Sequence, residues 1–172
     1  MLYNVESRSV EVFIPTFGVE QTMVAQSASG YHGGSSSHWQ SFTATFSGGL
    51  ELIDVSHTYP NSNGDTVVYL ELYEGEGVDG SLIAVASNTN TVNPSTGAQY
   101  YTYNFDGVSL VDEEVYTWRI YFNTSQNIGW IGFSGSNPYS GGVGYYCCGD
   151  YTDDDFIFQF KAKELLSNWV QL

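Results

Sequence analysis

The sequence predicts an all-β domain, a two-sheet antiparallel β-sandwich, and three observations carry that expectation. Short runs of apolar residues alternate with polar ones at a period of two, the signature of strands with one buried face. Clusters of Gly, Ser, Asn and Asp separate these runs roughly every 8–12 residues, the turn spacing of sandwiches and barrels. The chain is rich in aromatics, with 14 Tyr and 10 Phe, and such side chains fit a pleated, half-buried surface. At 172 residues it is one domain's worth of sequence, long enough to bury a core without staples.

The elements follow in order. Ser9–Ile14 reads as a first strand, stopped by Pro15, which cannot donate to a ladder. Gln26–His38 (QSASGYHGGSSSH) reads as a mobile loop by composition. Trp39–Phe46 separates Trp39, Ser41, Thr43 and Thr45 from Gln40, Phe42, Ala44 and Phe46. The turn Ser47-Gly48-Gly49 leads into Leu50–Tyr59. Thr66–Tyr73 presents Val68, Leu70 and Leu72 to one side and Tyr69, Glu71 and Tyr73 to the other. Leu82–Ala86, Gln99–Phe105, Val115–Phe122 and Ile128–Ser134 continue the series. Phe156–Ala162 closes it, with Phe156, Phe158 and Phe160 alternating with Ile157, Gln159 and Lys161. Lys163–Trp169 carries a helical hint too short to change the class. One domain results, its core spanning residues 39–161, with extended arms at 1–20 and 162–172. At roughly 3.3 Å per extended residue such arms reach neighbouring subunits.

Charge narrows the partners. Nineteen Asp+Glu stand against four Lys+Arg, a formal net charge of −15. Arg8, Arg119, Lys161 and Lys163 cannot build the positive stripe that a phosphate backbone requires, so nucleic acid is not expected as a partner. An anionic membrane surface is disfavoured for the same reason. No apolar run reaches the ~18 residues of a membrane span, so no membrane insertion is expected. Met1-Leu2-Tyr3-Asn4-Val5-Glu6 has neither a basic n-region nor an apolar h-region, so it does not read as a secretory signal. The composition nevertheless looks extracellular, rich in Gly, Ser, Thr, Asn and Tyr. A trimmed secreted protein and a chain made in a cytoplasm that then works outside it both accommodate this. Leu2–Phe13 reads as native sequence, which favours the second.

The two cysteines, Cys147 and Cys148, are adjacent. Neighbouring Cα atoms lie about 3.8 Å apart, below the roughly 4.4–6.8 Å of ordinary disulfides, so the pair is expected to be reduced. A bridge to another subunit and a redox switch are the alternatives. His32, His38 and His57 show no zinc-ligand spacing to the thiols.

Three stretches carry a resemblance. The first is Trp39-Gln40-Ser41-Phe42-Thr43-Ala44, followed by a Gly turn and Leu50-Glu51-Leu52-Ile53-Asp54-Val55. The second is Leu70-Glu71-Leu72-Tyr73-Glu74-Gly75-Glu76-Gly77, followed by Gly80-Ser81-Leu82-Ile83-Ala84. The third is Asn137-Pro138-Tyr139-Ser140-Gly141-Gly142, then an acidic stretch and Asp155-Phe156-Ile157-Phe158. Together they resemble a loose family of β jelly-roll, carbohydrate-binding-module-like domains of phage virion proteins and bacterial surface proteins. The resemblance implies a jelly-roll sandwich and a non-enzymatic adhesion, glycan-binding or structural role.

The remaining motifs are weighed on their chemistry. Tyr73–Gly80 interleaves glycines with acids between two apolar runs and reads as a hairpin loop needing φ > 0. It has neither the Lys nor the following helix of a phosphate-binding loop. Gly132-Phe133-Ser134-Gly135-Ser136 lacks the closing glycine of a nucleophile elbow. Chance carboxylate pairs are inevitable among nineteen acids, so no enzyme activity is expected. Asp150, Asp153, Asp154 and Asp155 form the densest polar cluster. It reads either as a solvated acidic loop or as a structural Ca²⁺ site, which jelly-roll loops often hold. Trp130, Tyr139, Tyr145, Tyr146 and Tyr151 gather around one Gly- and Asp-rich loop. Such rings suit a sugar face or a protein partner, or else plug the end of the sandwich.

The expectation is a virion structural protein, a capsid decoration or fibre/tail module, displayed on the virion surface and contacting host glycans. It would assemble as a homo-oligomer, a trimer in the first instance, and dock on other virion or surface proteins. The apolar end Leu165-Leu166-Ser167-Asn168-Trp169-Val170 would otherwise leave an exposed patch. A carbohydrate-binding module of a secreted bacterial protein and a self-assembling extracellular fibre subunit are the alternatives.

Overall fold

A computed structural model describes residues 11–13, 19–23, 30–34, 38–58, 66–92, 99–122, 129–134, 139–146, 149–151, 155–164 and 169–171. Every regular element among them is a strand. In chain order they are β1 (Glu11–Phe13), β2 (Val19–Met23), β3 (Gly30–Gly34), β4 (His38–Thr43), β5 (Gly48–Thr58), β6 (Thr66–Glu74), β7 (Leu82–Val85) and β8 (Asn90–Val92). There follow β9 (Gln99–Leu110), β10 (Val115–Phe122), β11 (Gly129–Ser134), β12 (Gly144–Tyr146), β13 (Gly149–Tyr151), β14 (Asp155–Phe156), β15 (Phe158–Glu164) and β16 (Trp169–Gln171).

These strands form two antiparallel sheets and a short ribbon. The front sheet runs β13-β12-β4-β10-β6-β7, with β8 also paired to β6. The back sheet runs β14-β11-β5-β15-β2, with β3 on β11 and β9 on β5. The ribbon pairs β1 with β16.

The alternation in the sequence decides which faces meet. In β10 Tyr116, Trp118 and Ile120 are buried in the common core, as are Val68, Leu70 and Leu72 of β6 and Phe42 of β4. The back sheet answers with Ile53, Val55, Tyr101, Tyr103, Phe158 and Phe160. Rings interlock across the gap: Phe42 lies 5.0 Å from Phe160, and Trp118 lies 5.5 Å from Phe158 and 5.8 Å from Phe156. Each such side chain contributes about 1.5–3 kcal/mol when fully buried, so this layer of rings holds the two sheets together.

A polar clamp sits inside the same interface. The buried Gln40 amide donates to Asp155 Oδ1 at 2.9 Å, and its Oε1 accepts the Phe156 N–H at 3.0 Å. Gln40 thus ties the core face of the front sheet to β14 in the back sheet. Ile157, between β14 and β15, donates to Gly132 O and accepts from Ser56 N. The chain thereby passes from pairing with β11 to pairing with β5. In β9 the inward positions are Tyr101, Tyr103 and Phe105, then Val108 and Leu110. Gly107, at φ 74°, marks the phase change, where the β5–β9 register also shifts.

Three expectations are revised. The Gly/Ser stretch expected to be a mobile loop contains β3, which pairs with β11 over five residues. Glycine-rich backbone has poor strand propensity, and here the ladder supplied by a distant strand overrides it. Parts of the expected arms are paired within the chain: β1 with β16, and β2 with β15. The helical hint after Lys163 meets strand on both sides, β15 through Glu164 and β16 from Trp169.

Candidate functional site

Residues on the outer face of the front sheet are the odd-numbered ones of β4, β6 and β10, which point away from the core. Register brings them into rows. Tyr145, Trp39, Arg119, Glu71 and Val85 are successive cross-strand partners over β12, β4, β10, β6 and β7. Ser41, Thr117, Tyr73 and Leu82 form the row on one side, and Tyr121 pairs with Tyr69 on the other. Asp150 occupies the register position next to Tyr145.

The rows make an aromatic surface with one ion pair at its centre. Trp39 and Tyr145 stack at 5.0 Å with their planes 4° apart, and Tyr69 stacks on Tyr121 at 5.0 Å and 14°. Cross-strand aromatic pairs of this kind contribute about 0.5–1 kcal/mol and keep the rings in place. The Arg119 guanidinium lies 5.3 Å from the Tyr73 ring centre and 5.6 Å from that of Tyr121. Its Nε donates to Glu71 Oε2 at 2.8 Å and its Nη2 lies 2.5 Å from the same oxygen. The Tyr73 hydroxyl donates to that oxygen as well, at 2.7 Å. Burial, and then the Glu71 carboxylate, push the Tyr73 hydroxyl up to about 12, so it stays a donor through the neutral range. The Glu74–Gly80 loop folds down beside this surface. Gly75 and Gly77 take the expected positive φ, 78° and 85°, whereas Gly80 does not and is instead required by its close approach to the Glu74 carbonyl. Gly77 N–H donates to Thr117 Oγ1 at 2.9 Å. Beyond Glu71 the surface continues into exposed Val85 (48%) and Leu82 (51%).

The arrangement suits contact. The partly exposed Tyr69, Tyr121 and Tyr145 offer ring faces and hydroxyls to a sugar ring or an apolar surface, whereas Trp39 (9% exposed) and Tyr73 (7%) are buried beneath them and hold them in place. A single Glu71 oxygen takes three donors, an acceptor already engaged in holding Arg119.

The loop residues expected to form the contact surface disperse. Tyr139 is half-buried and stands edge-on to Phe158 at 6.2 Å. Its hydroxyl accepts the Thr43 N–H at 2.8 Å, and burial pushes its pKa upward. The Tyr139 N–H in turn donates to Asp155 Oδ2 at 2.9 Å. This ring closes the end of the sandwich. Gly142 lies against the Ser41 carbonyl so closely that a Cβ would collide with it, which explains the glycine after Tyr139-Ser140-Gly141. Of the expected contacts only Tyr145 is placed on the aromatic rows by its described side chain. Trp130, Tyr146 and Tyr151 stand in β11, β12 and β13, and their side chains lie outside the described residues. The same holds for Asp150, whereas Asp153, Asp154, Cys147 and Cys148 lie wholly outside them. Asp155, the fourth expected calcium ligand, is buried and accepts from Gln40 and Tyr139. Among the described residues no three His, Cys, Asp or Glu side chains converge on a metal position.

A second polar group lies inside the core. His57 is fully buried, its Nε2 3.2 Å from the Tyr103 hydroxyl. Its Nδ1, and Trp118 Nε1, have no hydrogen-bond partner among the described residues. Desolvation, and then the neighbouring His38, hold the His57 imidazole down to about 3.

The alternation in β4 and β6 already set Trp39 apart from the core face and Tyr69, Glu71 and Tyr73 together. The same period applied to β10 would have added Arg119 and Tyr121. No protein-family model matches the chain, and no curated protein matches it either.

Proposed function

We propose that this chain is a non-enzymatic recognition and structural module, a sandwich of jelly-roll type displayed on a virion surface, that contacts host-surface glycans through the outer face of its front sheet. The observation that carries the reading is the pair of stacked aromatic couples, Trp39/Tyr145 and Tyr69/Tyr121, flanking the Arg119–Glu71 ion pair on one sheet face. Aromatic rings held by cross-strand packing lose little freedom on binding, and their faces match the C–H faces of pyranose rings. The virion setting follows from the resemblance of the Trp39, Leu70 and Asn137 stretches to virion and surface modules.

The test is a pair of measurements on Tyr69→Ala and Tyr121→Ala. Both rings are partly exposed, so truncation leaves the core intact. Binding to isolated host-surface polysaccharide should fall about tenfold or more while the melting temperature stays within a few degrees. Unchanged binding in both variants would remove this face from recognition.

A further inference from the structure

Resting on that reading of the front-sheet face, we infer that its ligands are uncharged glycans and that Arg119 serves as a scaffold instead of a handle for acidic sugars. An arginine among aromatics ordinarily suggests recognition of carboxylate or sulfate. Here the guanidinium is already spoken for. Two of its nitrogens meet Glu71 Oε2, and the rings of Tyr73 and Tyr121 lie within 5.6 Å of it. The Arg119 side chain is 27% exposed and that of Glu71 only 10%. An anionic sugar reaching Arg119 would leave the Glu71 carboxylate buried without its counter-charge, an arrangement that is strongly unfavourable.

No other described side chain on the face compensates. Among the described side chains the other Lys or Arg is Lys161, which pairs in register with Leu52 in the back sheet. The chain as a whole carries −15, so its field repels an approaching polyanion before contact. Uncharged hexose polymers meet no such opposition, and ring stacking with Tyr hydroxyl hydrogen bonds is insensitive to screening.

The experiment is affinity electrophoresis of the intact chain through gels containing neutral polymers (laminarin, galactomannan, dextran) or anionic ones (alginate, heparin, polysialic acid). Wild type should be retarded by at least one neutral polymer, with a Kd that changes less than about twofold between low salt and about 0.5 M NaCl. It should ignore the anionic set. Glu71→Gln keeps an oxygen for the Tyr73 hydroxyl but releases the Arg119 charge. That variant should gain salt-sensitive retardation by an anionic polymer, about tenfold over wild type. Wild-type binding to anionic polymers that weakens with salt would overturn the inference and leave the recognition reading standing. Retardation by no polymer of either kind would overturn both. A folded Glu71→Gln variant with no gain would also refute the scaffold role, and the wild-type salt series decides the question should that variant not fold.

Discussion

Lowering the pH from about 7.5 to about 5 should destabilise the fold by about 2 kcal/mol through His57 alone. The imidazole is fully buried, edge-on to Tyr101 at 5.4 Å, with Nε2 facing the Tyr103 hydroxyl. Burial pushes the Tyr103 hydroxyl's own pKa far upward, so it remains a neutral partner for Nε2. A second proton on the imidazole would place a charge inside a low-dielectric core, with His38 adding to the opposition. The folded state therefore keeps His57 neutral down to about 3, whereas the unfolded chain takes up a proton near 6.5. Stability from this group is complete above the unfolded value and is lost progressively as pH falls from there toward the folded one. At pH 5 the unfolded form is about 1.5 units below its midpoint, and each unit is worth about 1.4 kcal/mol. For a domain of this size that is a drop in melting temperature of roughly 4–8 °C. Urea unfolding followed by Trp fluorescence, in steps between pH 5 and 7.5, measures it. The amide of His57→Gln can either donate to or accept from the Tyr103 hydroxyl and does not titrate, so its stability should depend less on pH by that amount. The carboxylates titrate alike in both proteins and cancel in the comparison. Identical pH slopes for wild type and His57→Gln would refute the assignment.

Three further outcomes follow from single contacts. Glu113 sits at φ 64° in the turn after β9, with its N–H on Ala44 O, so Glu113→Gly should raise stability by about 0.5–1 kcal/mol in thermal unfolding. Gly142→Ala drives a methyl into the Ser41 carbonyl and should cost about 2–3 kcal/mol; a neutral result would mean the Tyr139–Val143 segment does not lie along β4. Asp155→Ala leaves the Tyr139 N–H without its acceptor and breaks the Gln40 clamp, for a loss of about 2–3 kcal/mol. That loss should be the same in chelator and in added Ca²⁺, and a loss confined to the calcium arm would return Asp155 to a metal site.

Local pattern was enough to assign the sandwich and most of its interior. Phe156, Phe158 and Phe160, or Leu70 and Leu72, can be assigned to the core from period two alone, because a pleated strand sends successive side chains to opposite faces. The same rule put Tyr69, Glu71 and Tyr73 on one outer face, and the glycine spacing of the loop after β6 announced the positive φ of Gly75 and Gly77, though not the ordinary φ of Gly80. It could not say that Arg119 would stand between Trp39 and Glu71, since neighbourhood across a sheet depends on pairing between strands far apart in the chain. Tyrosine was the ambiguous residue throughout. Its ring favours burial and its hydroxyl favours water, so composition left Tyr139 and Tyr145 alike, and packing separated them: one closes the core against Phe158, the other stacks on Trp39. The same held for Asp155, which reads as one of four acids in a loop until the fold places the Gln40 amide and the Tyr139 N–H around it. Period and propensity are properties of a segment, whereas desolvation and contact belong to whatever the rest of the chain brings alongside it.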